Sequence, residues 1–271
     1  MQKLQKLKSI LCEMERVLVA FSGGVDSTFL LKVAHDVLGD RAIAVTALSE
    51  SFPKAELDAS KQLAAQIGAR QILIGTRELD REGYRENSPD RCYFCKSELF
   101  DKMTPLAEKE GSRFIVYGEI TDDRSEHRPG GRAAQENKIR APLAEAGLTK
   151  LEIRALSREL GLPTWDKPSF ACLSSRIPYG QAVTSEKLSM IERAEEVLRG
   201  LGLRTFRVRH HESMARLELD PVDFEQVVRD PIRTLIINRL KEIGYTYVTL
   251  DLQGFRSGSM NEVRLVMSVG K

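Results

Sequence analysis

The chain has 271 residues, 42% of them hydrophobic, which is enough to fill the core of one large domain or two modest ones. Its 41 basic and 39 acidic residues leave a net charge of +2, so the composition argues against the strongly basic surface of a nucleic acid binding protein. Charged residues interrupt the N-terminal stretch up to Phe21, which argues against a signal sequence or a membrane span there. We therefore expect a cytoplasmic enzyme with a small-molecule substrate and with neither a nucleic acid nor a membrane as its partner.

Short β-rich runs alternate with longer helical patterns through the first half of the chain. After an amphipathic opening helix, the pattern predicts strands at residues 16–21, 42–47, 71–74 and 113–117. This alternation is typical of an α/β domain with a doubly wound parallel sheet, which we expect over residues 1–180. Ligands of such sheets bind beyond the carboxyl ends of the strands, so Ser22, Ala47, Gly118 and Asp122 are candidate site residues.

The pattern changes from about residue 180 onward. It predicts helices or strands at residues 185–201, 205–210, 214–219, 221–228, 231–243 and 247–250, followed by an apolar run at 263–269. Paired alternating runs flanked by helical segments indicate a smaller α+β domain over residues 181–271.

The most informative motif follows the first predicted strand directly and reads Ser22, Gly23, Gly24, Val25, Asp26, Ser27. Two glycines let the backbone approach an anion, serine hydroxyls and turn amides donate hydrogen bonds, and the following helix directs its positive end at phosphates. The motif has neither the lysine of the G-x-x-x-x-G-K-[ST] loop nor the spacing of G-x-G-x-x-G. We expect it to hold the pyrophosphate of ATP.

The pattern S-G-G-x-D-S resembles the signature of the PP-loop ATP pyrophosphatases. That superfamily includes GMP synthetase, NAD synthetase and the tRNA thiolation enzymes. The resemblance implies a HUP-like fold and an enzyme that splits ATP into AMP and pyrophosphate.

Three of the four cysteines lie in motifs that suggest a metal centre. Cys92 and Cys95 form a C-x-x-C pair, and Cys172 lies in a distant serine-rich run. Three thiols would leave one iron of a 4Fe-4S cluster open, whereas zinc would normally require a fourth ligand. A redox pair, or thiols packed as small hydrophobic groups, are the simpler alternatives for the C-x-x-C. Cys12, on the opening helix, has no partner motif.

Three longer stretches, at residues 117–123, 164–180 and 251–262, resemble the ATP-dependent sulfurtransferases of nickel-pincer nucleotide biosynthesis. The resemblance implies that the substrate is pyridinium-3,5-biscarboxylic acid mononucleotide, whose two carboxylates become the thiocarboxylates of the nickel ligand used by lactate racemase. It also suggests a homo-oligomer. Members with one cysteine sacrifice the sulfur at the position of Cys172. Members with the extra C-x-x-C hold a 4Fe-4S cluster, here through Cys92, Cys95 and Cys172, and pass on its sulfide.

Adenylation turns a carboxylate into a mixed anhydride with a good leaving group, and Mg²⁺ would neutralise the phosphate charge. A sulfur nucleophile then attacks the activated carbonyl. Arg176, four positions after Cys172, could favour a thiolate there, and Ser175 lies beside it in the same candidate catalytic run.

Basic residues of the second domain are candidates for substrate binding. Arg207 and Arg209 share one face of a predicted strand, which suits the capture of a phosphate or carboxylate. Arg256 and Ser257 belong to a small turn of the kind that binds anions.

Three other functions remain open at this point. A tRNA thiolation enzyme also combines the loop with cysteines, although the near-neutral charge argues against an RNA substrate. An amide-forming ligase similar to NAD synthetase would have no use for clustered thiols. A non-catalytic nucleotide sensor would bind ATP without releasing pyrophosphate.

Overall fold

The computed structural model describes residues 2–124, 129–168, 171–256 and 258–261. The chain forms two compact units, and a short early segment belongs to the second of them. The units comprise Met1–Tyr84 with Pro89–Phe170, and Arg85–Ser88 with Ala171–Lys271. The apolar run at 263–269 and the candidate residue Ser257 lie outside the described residues.

A parallel sheet forms the centre of the first unit. Its strands are β1 (Val17–Ala20), β2 (Ala42–Leu48), β3 (Gln71–Gly75) and β4 (Phe114–Val116). The α-helices along this part of the chain are α1 (Gln2–Met14), α2 (Val25–Leu38), α3 (Lys54–Ile67), α4 (Glu82–Arg85), α5 (Arg91–Lys109), α6 (Thr121–Arg124), α7 (Pro129–Glu136), α8 (Pro142–Glu145) and α9 (Lys150–Glu159).

The strand order is β3-β2-β1-β4, and the pairs β1–β2, β1–β4 and β2–β3 are all parallel. Val17 of β1 is in register with Ala42 on one side and with Phe114 on the other. The chain therefore adds β2 and β3 on one side of β1 and then crosses over to add β4 on the other side. Such a reversal opens a crevice between the carboxyl ends of two neighbouring strands, here β1 and β4.

Helices cover both faces of this sheet, which is why its central strands are apolar nearly throughout. One core cluster joins β1 to α1 and α2 through buried side chains such as Leu11 and Phe29. A second cluster lies on the other face and includes Phe100 and Met103 of α5. The predicted doubly wound α/β fold is confirmed.

The second unit contains a small mixed sheet packed against helices. Its elements are α10 (Ser185–Gly200), β5 (Phe206–His211), β6 (Met214–Leu219), α11 (Phe224–Val228), α12 (Ile232–Ile243) and β7 (Tyr247–Leu250). The order is β5-β6-β7, with β5 antiparallel and β7 parallel to β6. Leu198, Leu217 and Leu240 meet in its core. The predicted α+β character of this region is confirmed.

The segment 85–88 belongs to the second unit because its polar groups bind there. The Asn87 side chain donates to the carbonyl oxygens of Ile177 (3.1 Å) and Pro178 (2.7 Å), and the Val183 N–H donates to the Arg85 carbonyl. The second unit also contains residues 171–180, which the predicted boundary after residue 180 assigns to the first domain. None of the described helices is long and apolar enough to cross a membrane.

A buried histidine in β5 makes the stability of the second unit depend on pH. His210 is 2% exposed, and its Nδ1 lies 3.1 Å from the Tyr245 hydroxyl. Burial lowers the pKa of His210 below 6.5, with a further lowering by Lys187. The folded protein therefore binds fewer protons than the unfolded chain, so this stability is complete above about pH 6.5 and is lost as the pH falls through the folded pKa.

We expect His210→Gln to lose stability less steeply than the wild type between pH 7 and pH 5. Urea unfolding followed by far-ultraviolet circular dichroism at both pH values measures this. Some slope will remain, because burial also lowers the pKa of His211. Equal slopes in the two proteins would contradict the assignment to His210.

Candidate active site

The loop after β1 curls into a closed turn at the crevice between β1 and β4. The Ser22 and Ser27 hydroxyl oxygens lie 3.2 Å apart. The Ser27 Oγ also accepts a hydrogen bond from the Ser22 N–H and donates one to the Gly24 carbonyl. Gly23 has a φ of +69°, a conformation that side chains rarely adopt, and a Cβ there would meet Ser60 at 3.2 Å. The turn leads directly into α2, whose first turn carries Asp26. This is the geometry of an anion site at a helix N-terminus.

Gly118, which follows β4, packs directly against this loop. A Cβ at Gly118 would lie 3.0 Å from the Ser27 nitrogen and 3.2 Å from the carbonyl carbon of Asp26. Both are backbone atoms, which cannot yield as the end of a flexible side chain would. The absence of a side chain at Gly118 therefore sets the position of the loop between the two strands.

We expect Gly118→Ala to displace the loop and to raise the KM for ATP by roughly tenfold, with about 1–3 kcal/mol lost from stability through overpacking. Gly75→Ala is the matched control. Gly75 ends β3 at the same edge of the sheet, but a Cβ there would meet no atom within 4 Å. Steady-state kinetics on both variants make the comparison, and an unchanged KM in Gly118→Ala would contradict it.

Two further candidate residues lie at this edge of the first unit. Ala47 is half-buried near the end of β2, in register with Ile74. Asp122 lies on α6, and its Oδ2 accepts the Lys150 N–H at 2.9 Å. The same Lys150 extends its side chain to Asp26, with Nζ at 2.8 Å and 2.6 Å from the two carboxylate oxygens. Lys150 thus connects two acidic residues that the sequence places in the site separately.

A second lysine contacts the loop from another part of the chain. The Lys167 Nζ donates to the Gly23 carbonyl at 3.1 Å and to Glu56 Oε2 at 2.6 Å. Sequence reasoning missed both lysines as site residues. The available signal was indirect: the loop has no lysine of its own, and Lys167 lies in the 164–180 stretch that carries the family resemblance.

The C-x-x-C pair lies at the N-terminal end of α5, at the second and fifth residues of the helix. Residues three apart lie on the same face of a helix, so Cys92 and Cys95 can hold one metal centre together, and the helix N-terminus favours anionic ligands. The neighbouring Lys96 places its ammonium 4.3 Å from the ring centroid of Tyr117. Burial lowers the pKa of Lys96, while Glu119 and then the two cysteines act in the opposite direction. Sequence reasoning did not identify Lys96.

None of the four cysteines, all within the described ranges, forms a disulfide, and Cys172 belongs to the second unit. Across the described residues, no group of three or more His, Cys, Asp or Glu side chains is close enough to hold a metal ion. Joint ligation by Cys92, Cys95 and Cys172 therefore stays a prediction. Within the first unit, the helical C-x-x-C fits two ligands of an iron–sulfur cluster, and the carboxylates of Asp26 and Asp122 are the hard oxygen ligands that Mg²⁺ prefers.

Cys172 lies immediately before a 3₁₀ turn, Leu173–Arg176, whose backbone is held by Arg176. The guanidinium of Arg176 is buried and pairs with Glu195 through two contacts of 2.8 Å and 2.9 Å. It also donates to the carbonyl oxygens of Ala171 and Cys172 and to the Ser175 hydroxyl. The described contact between Arg176 and Cys172 is thus to the carbonyl oxygen, which orients the segment that carries the thiol.

The two arginines of β5 lie beside this turn within the second unit. Arg209 donates to the Ser175 carbonyl, to Glu218 and to the Ser259 hydroxyl. Burial, and next the charge of Arg176, lower the pKa of Arg207 to about 10. A nearby anion would favour the charged guanidinium of Arg207 and would therefore oppose this lowering of its pKa.

Glu195 and Glu218, which complete this cluster, were missed by sequence reasoning because each looks like an ordinary exposed residue of a helix or strand. Arg256 donates to the Gly254 carbonyl at 3.3 Å, and Ser257 lies outside the described residues. The arginine cluster can neutralise an anion, and the loop at Ser22 can bind phosphates.

A search against protein-family models finds no match. Single relatives cover nearly the whole chain. The uncharacterized protein slr1717 of Synechocystis sp. is 46% identical over 96% of this chain and 97% of its own length. The pyridinium-3,5-bisthiocarboxylic acid mononucleotide synthase of Lactiplantibacillus plantarum is 40% identical over 96% of this chain and 94% of its own length. The GMP synthase of Chlamydia caviae is 29% identical over 60% of this chain and 35% of its own length. The chain therefore belongs to the family of the pyridinium-3,5-bisthiocarboxylic acid mononucleotide synthase, within the PP-loop superfamily.

Proposed function

We propose that this chain is an ATP-dependent sulfurtransferase that converts the two carboxylates of pyridinium-3,5-biscarboxylic acid mononucleotide into thiocarboxylates, with release of AMP and pyrophosphate. The observation that carries the proposal is the 40% identity, over 96% of the chain, to a relative named for that product. The closed serine–glycine loop at the crevice of the parallel sheet supports the use of ATP.

The first step joins the substrate to AMP. A carboxylate oxygen of the substrate attacks the α-phosphorus of ATP, the bond from that phosphorus to the pyrophosphate breaks, and a mixed anhydride forms. The Ser22 and Ser27 hydroxyls, the loop amides and the N-terminus of α2 hold the departing pyrophosphate. Asp26 and Asp122 would hold Mg²⁺, which neutralises phosphate charge when bound.

The second step replaces oxygen with sulfur. A sulfur nucleophile forms a bond to the activated carbonyl carbon, and AMP leaves with the carboxyl oxygen. Cys92, Cys95 and Cys172 would hold a 4Fe-4S cluster, which supplies sulfide when bound. Arg176 fixes the backbone on which Cys172 lies, and the positive charge around Arg207 favours an anionic group of the substrate.

Anaerobic preparation with iron and sulfide analysis tests this proposal on the full-length protein. We expect substrate-dependent pyrophosphate release and, with sulfide supplied, more than one thiocarboxylate product per chain by mass spectrometry. Absence of pyrophosphate release in the presence of ATP, Mg²⁺ and the dicarboxylate would overturn the proposal. At most one product per chain, with loss of sulfur from Cys172, would instead replace the cluster route by a sacrificial cysteine.

A further inference from the structure

Two aromatic residues, Tyr93 and Phe94, separate the cysteines of the C-x-x-C pair. Their rings meet edge to face, with centroids 5.4 Å apart. Both residues are half-buried, whereas the neighbouring Cys92 is exposed. The turn that carries the two thiols is therefore attached to the first unit through the residues between them.

Tyr93 attaches this turn to α7. Its hydroxyl donates to a Glu136 carboxylate oxygen at 2.5 Å, and the Arg132 guanidinium lies 4.3 Å from the centroid of its ring. Directly after the cysteine pair, Lys96 packs against Gly130, where a Cβ would lie 2.8 Å from the Lys96 Cδ. α7 therefore contacts α5 both between the cysteines and immediately after them.

Phe94 attaches the same turn to α4. A Cβ built on Gly83 would lie 2.8 Å from the Cε1 atom of the Phe94 ring and closer still to Cζ. The ring thus occupies the space that a side chain at Gly83 would need. Gly83 lies within a helix and does not have a positive φ, so its backbone conformation suits other residues as well. The close approach of the Phe94 ring is what requires a glycine there.

The start of α5 depends on such contacts, because the first N–H groups of a helix have no intrahelical acceptor and helix ends fray. Asp90, the N-cap residue, makes no side-chain capping hydrogen bond among the described contacts, and its carboxylate lies 3.8 Å from Arg132. The cysteines share one face only while residues 92–95 are helical. Fraying would therefore separate the two thiols and add an ordering cost to the binding of a metal.

We infer that Tyr93 and Phe94 are positioning residues for the metal centre, because they hold the turn with Cys92 and Cys95 in its helical conformation before iron binds. The inference rests on the proposed function, which takes both cysteines as ligands. Phenylalanine has no donor atom, and the Tyr93 hydroxyl is bound to Glu136, so neither residue acts as a ligand itself. Both affect how firmly the centre is held, without changing its type.

Iron release from the full-length protein tests the inference without turnover. The protein is reconstituted anaerobically with iron and sulfide and then mixed with a ferrous chelator. Tyr93→Ala and Phe94→Ala should each release iron roughly tenfold faster than the wild type, in keeping with the loss of groups that orient metal ligands. Tyr93→Phe keeps the ring beside Arg132 and should release iron more slowly than Tyr93→Ala. Electron paramagnetic resonance of the reduced proteins should show one cluster type throughout.

Gly83→Ala tests the contact with Phe94 from outside the cysteine turn. Alanine favours a helix more than glycine does, so α4 itself should not suffer, but the added methyl group must displace the ring. Gly83→Ala should accelerate iron release in the wild-type background and have no further effect in the Phe94→Ala background. Equal acceleration in both backgrounds would show that Gly83 acts by another route, and the inference would be wrong for Phe94.

Leu106→Ala is the matched control for a general loss of packing. Leu106 lies on α5, well beyond the cysteines, and packs against the same core cluster as Tyr93. Its truncation should lower the urea midpoint of the cluster-free protein but leave iron release close to the wild-type rate. If Leu106→Ala accelerates iron release as much as Phe94→Ala does, the aromatic residues contribute only packing and the inference is wrong.

The outcomes also separate this inference from the proposed function. A wild-type protein that retains iron and sulfide, together with Tyr93 and Phe94 variants that release iron at the wild-type rate, overturns the inference alone. A wild-type protein that binds neither iron nor sulfide overturns the inference and the cluster route together. The ATP chemistry is measured independently by pyrophosphate release.

Discussion

Alanine in place of Cys172 should reduce thiocarboxylate formation at least 100-fold but leave a stoichiometric burst of pyrophosphate in the presence of the dicarboxylate, because the adenylate still forms while no sulfur displaces its AMP. The reason is that the two half-reactions use different groups. Adenylation depends on the loop at Ser22, whereas the sulfur step depends on the thiols, and loss of a nucleophilic or ligating sulfur cannot be compensated by packing. Pyrophosphate is quantified by a coupled assay, and the product by mass spectrometry.

Alanine variants of the other three cysteines are compared with Cys172→Ala. Cys92→Ala and Cys95→Ala should abolish product formation if sulfur comes from a cluster, but should leave one turnover per chain if Cys172 gives up its own sulfur. Cys12→Ala is the control, because Cys12 is an exposed thiol on α1 without a partner motif. Full thiocarboxylate formation by the variant without Cys172 would contradict the assignment of the sulfur step to Cys172.

The largest loss of stability should follow from breaking the buried ion pair of the second unit. Arg176 and Glu195 have side-chain exposures of 2% and 4%. Glu195→Ala would leave a buried guanidinium without its counter-charge, and it would also remove the acceptor of the Val208 N–H. Breaking such a pair typically costs about 3–5 kcal/mol, because the remaining charge stays desolvated.

Glu242→Ala is the matched control for Glu195→Ala. Glu242 pairs with Arg239 in the same unit, but both side chains are more than half exposed, so the loss should be about 0–1 kcal/mol. Hydrogen exchange of the β5 and β6 amides is the appropriate measurement, because the single tryptophan, Trp165, reports on the first unit. Equal protection of these amides in the two variants would show that the buried pair contributes no more than a surface one.

Much of the fold could be predicted because the relevant signals are local. The strands at 42–47 and 247–250 were predicted within one residue of β2 and β7, since apolar runs bounded by glycine or polar residues define them. The loop at Ser22 was found by its motif, and its position at the crevice follows from the strand order.

The parts that escaped prediction depend on tertiary contacts. Lys150 reaches the loop through its ion pair with Asp26, and Lys167 through a hydrogen bond to the Gly23 carbonyl. Both contacts span more than a hundred residues, so no local spacing in the sequence indicates them. Glu195 and Glu218 are missed for a related reason, because a charged residue is normally exposed and becomes informative only when it is seen to be buried. Residues 85–88 join the second unit through the Asn87 side chain, which no periodicity reveals.

Because the chain crosses from β3 to β4, residues that are translated far apart in time meet in the folded first unit. β4 pairs with β1, and Gly118 packs against the loop after β1, which leaves the ribosome long before Gly118 does. Lys167, which contacts the Gly23 carbonyl, leaves the exit tunnel later still. A nascent chain can thus complete β1, α2 and β2 and still lack the contacts that position the loop, so we expect the loop to reach its final geometry only after translation has passed the segment that carries Lys167.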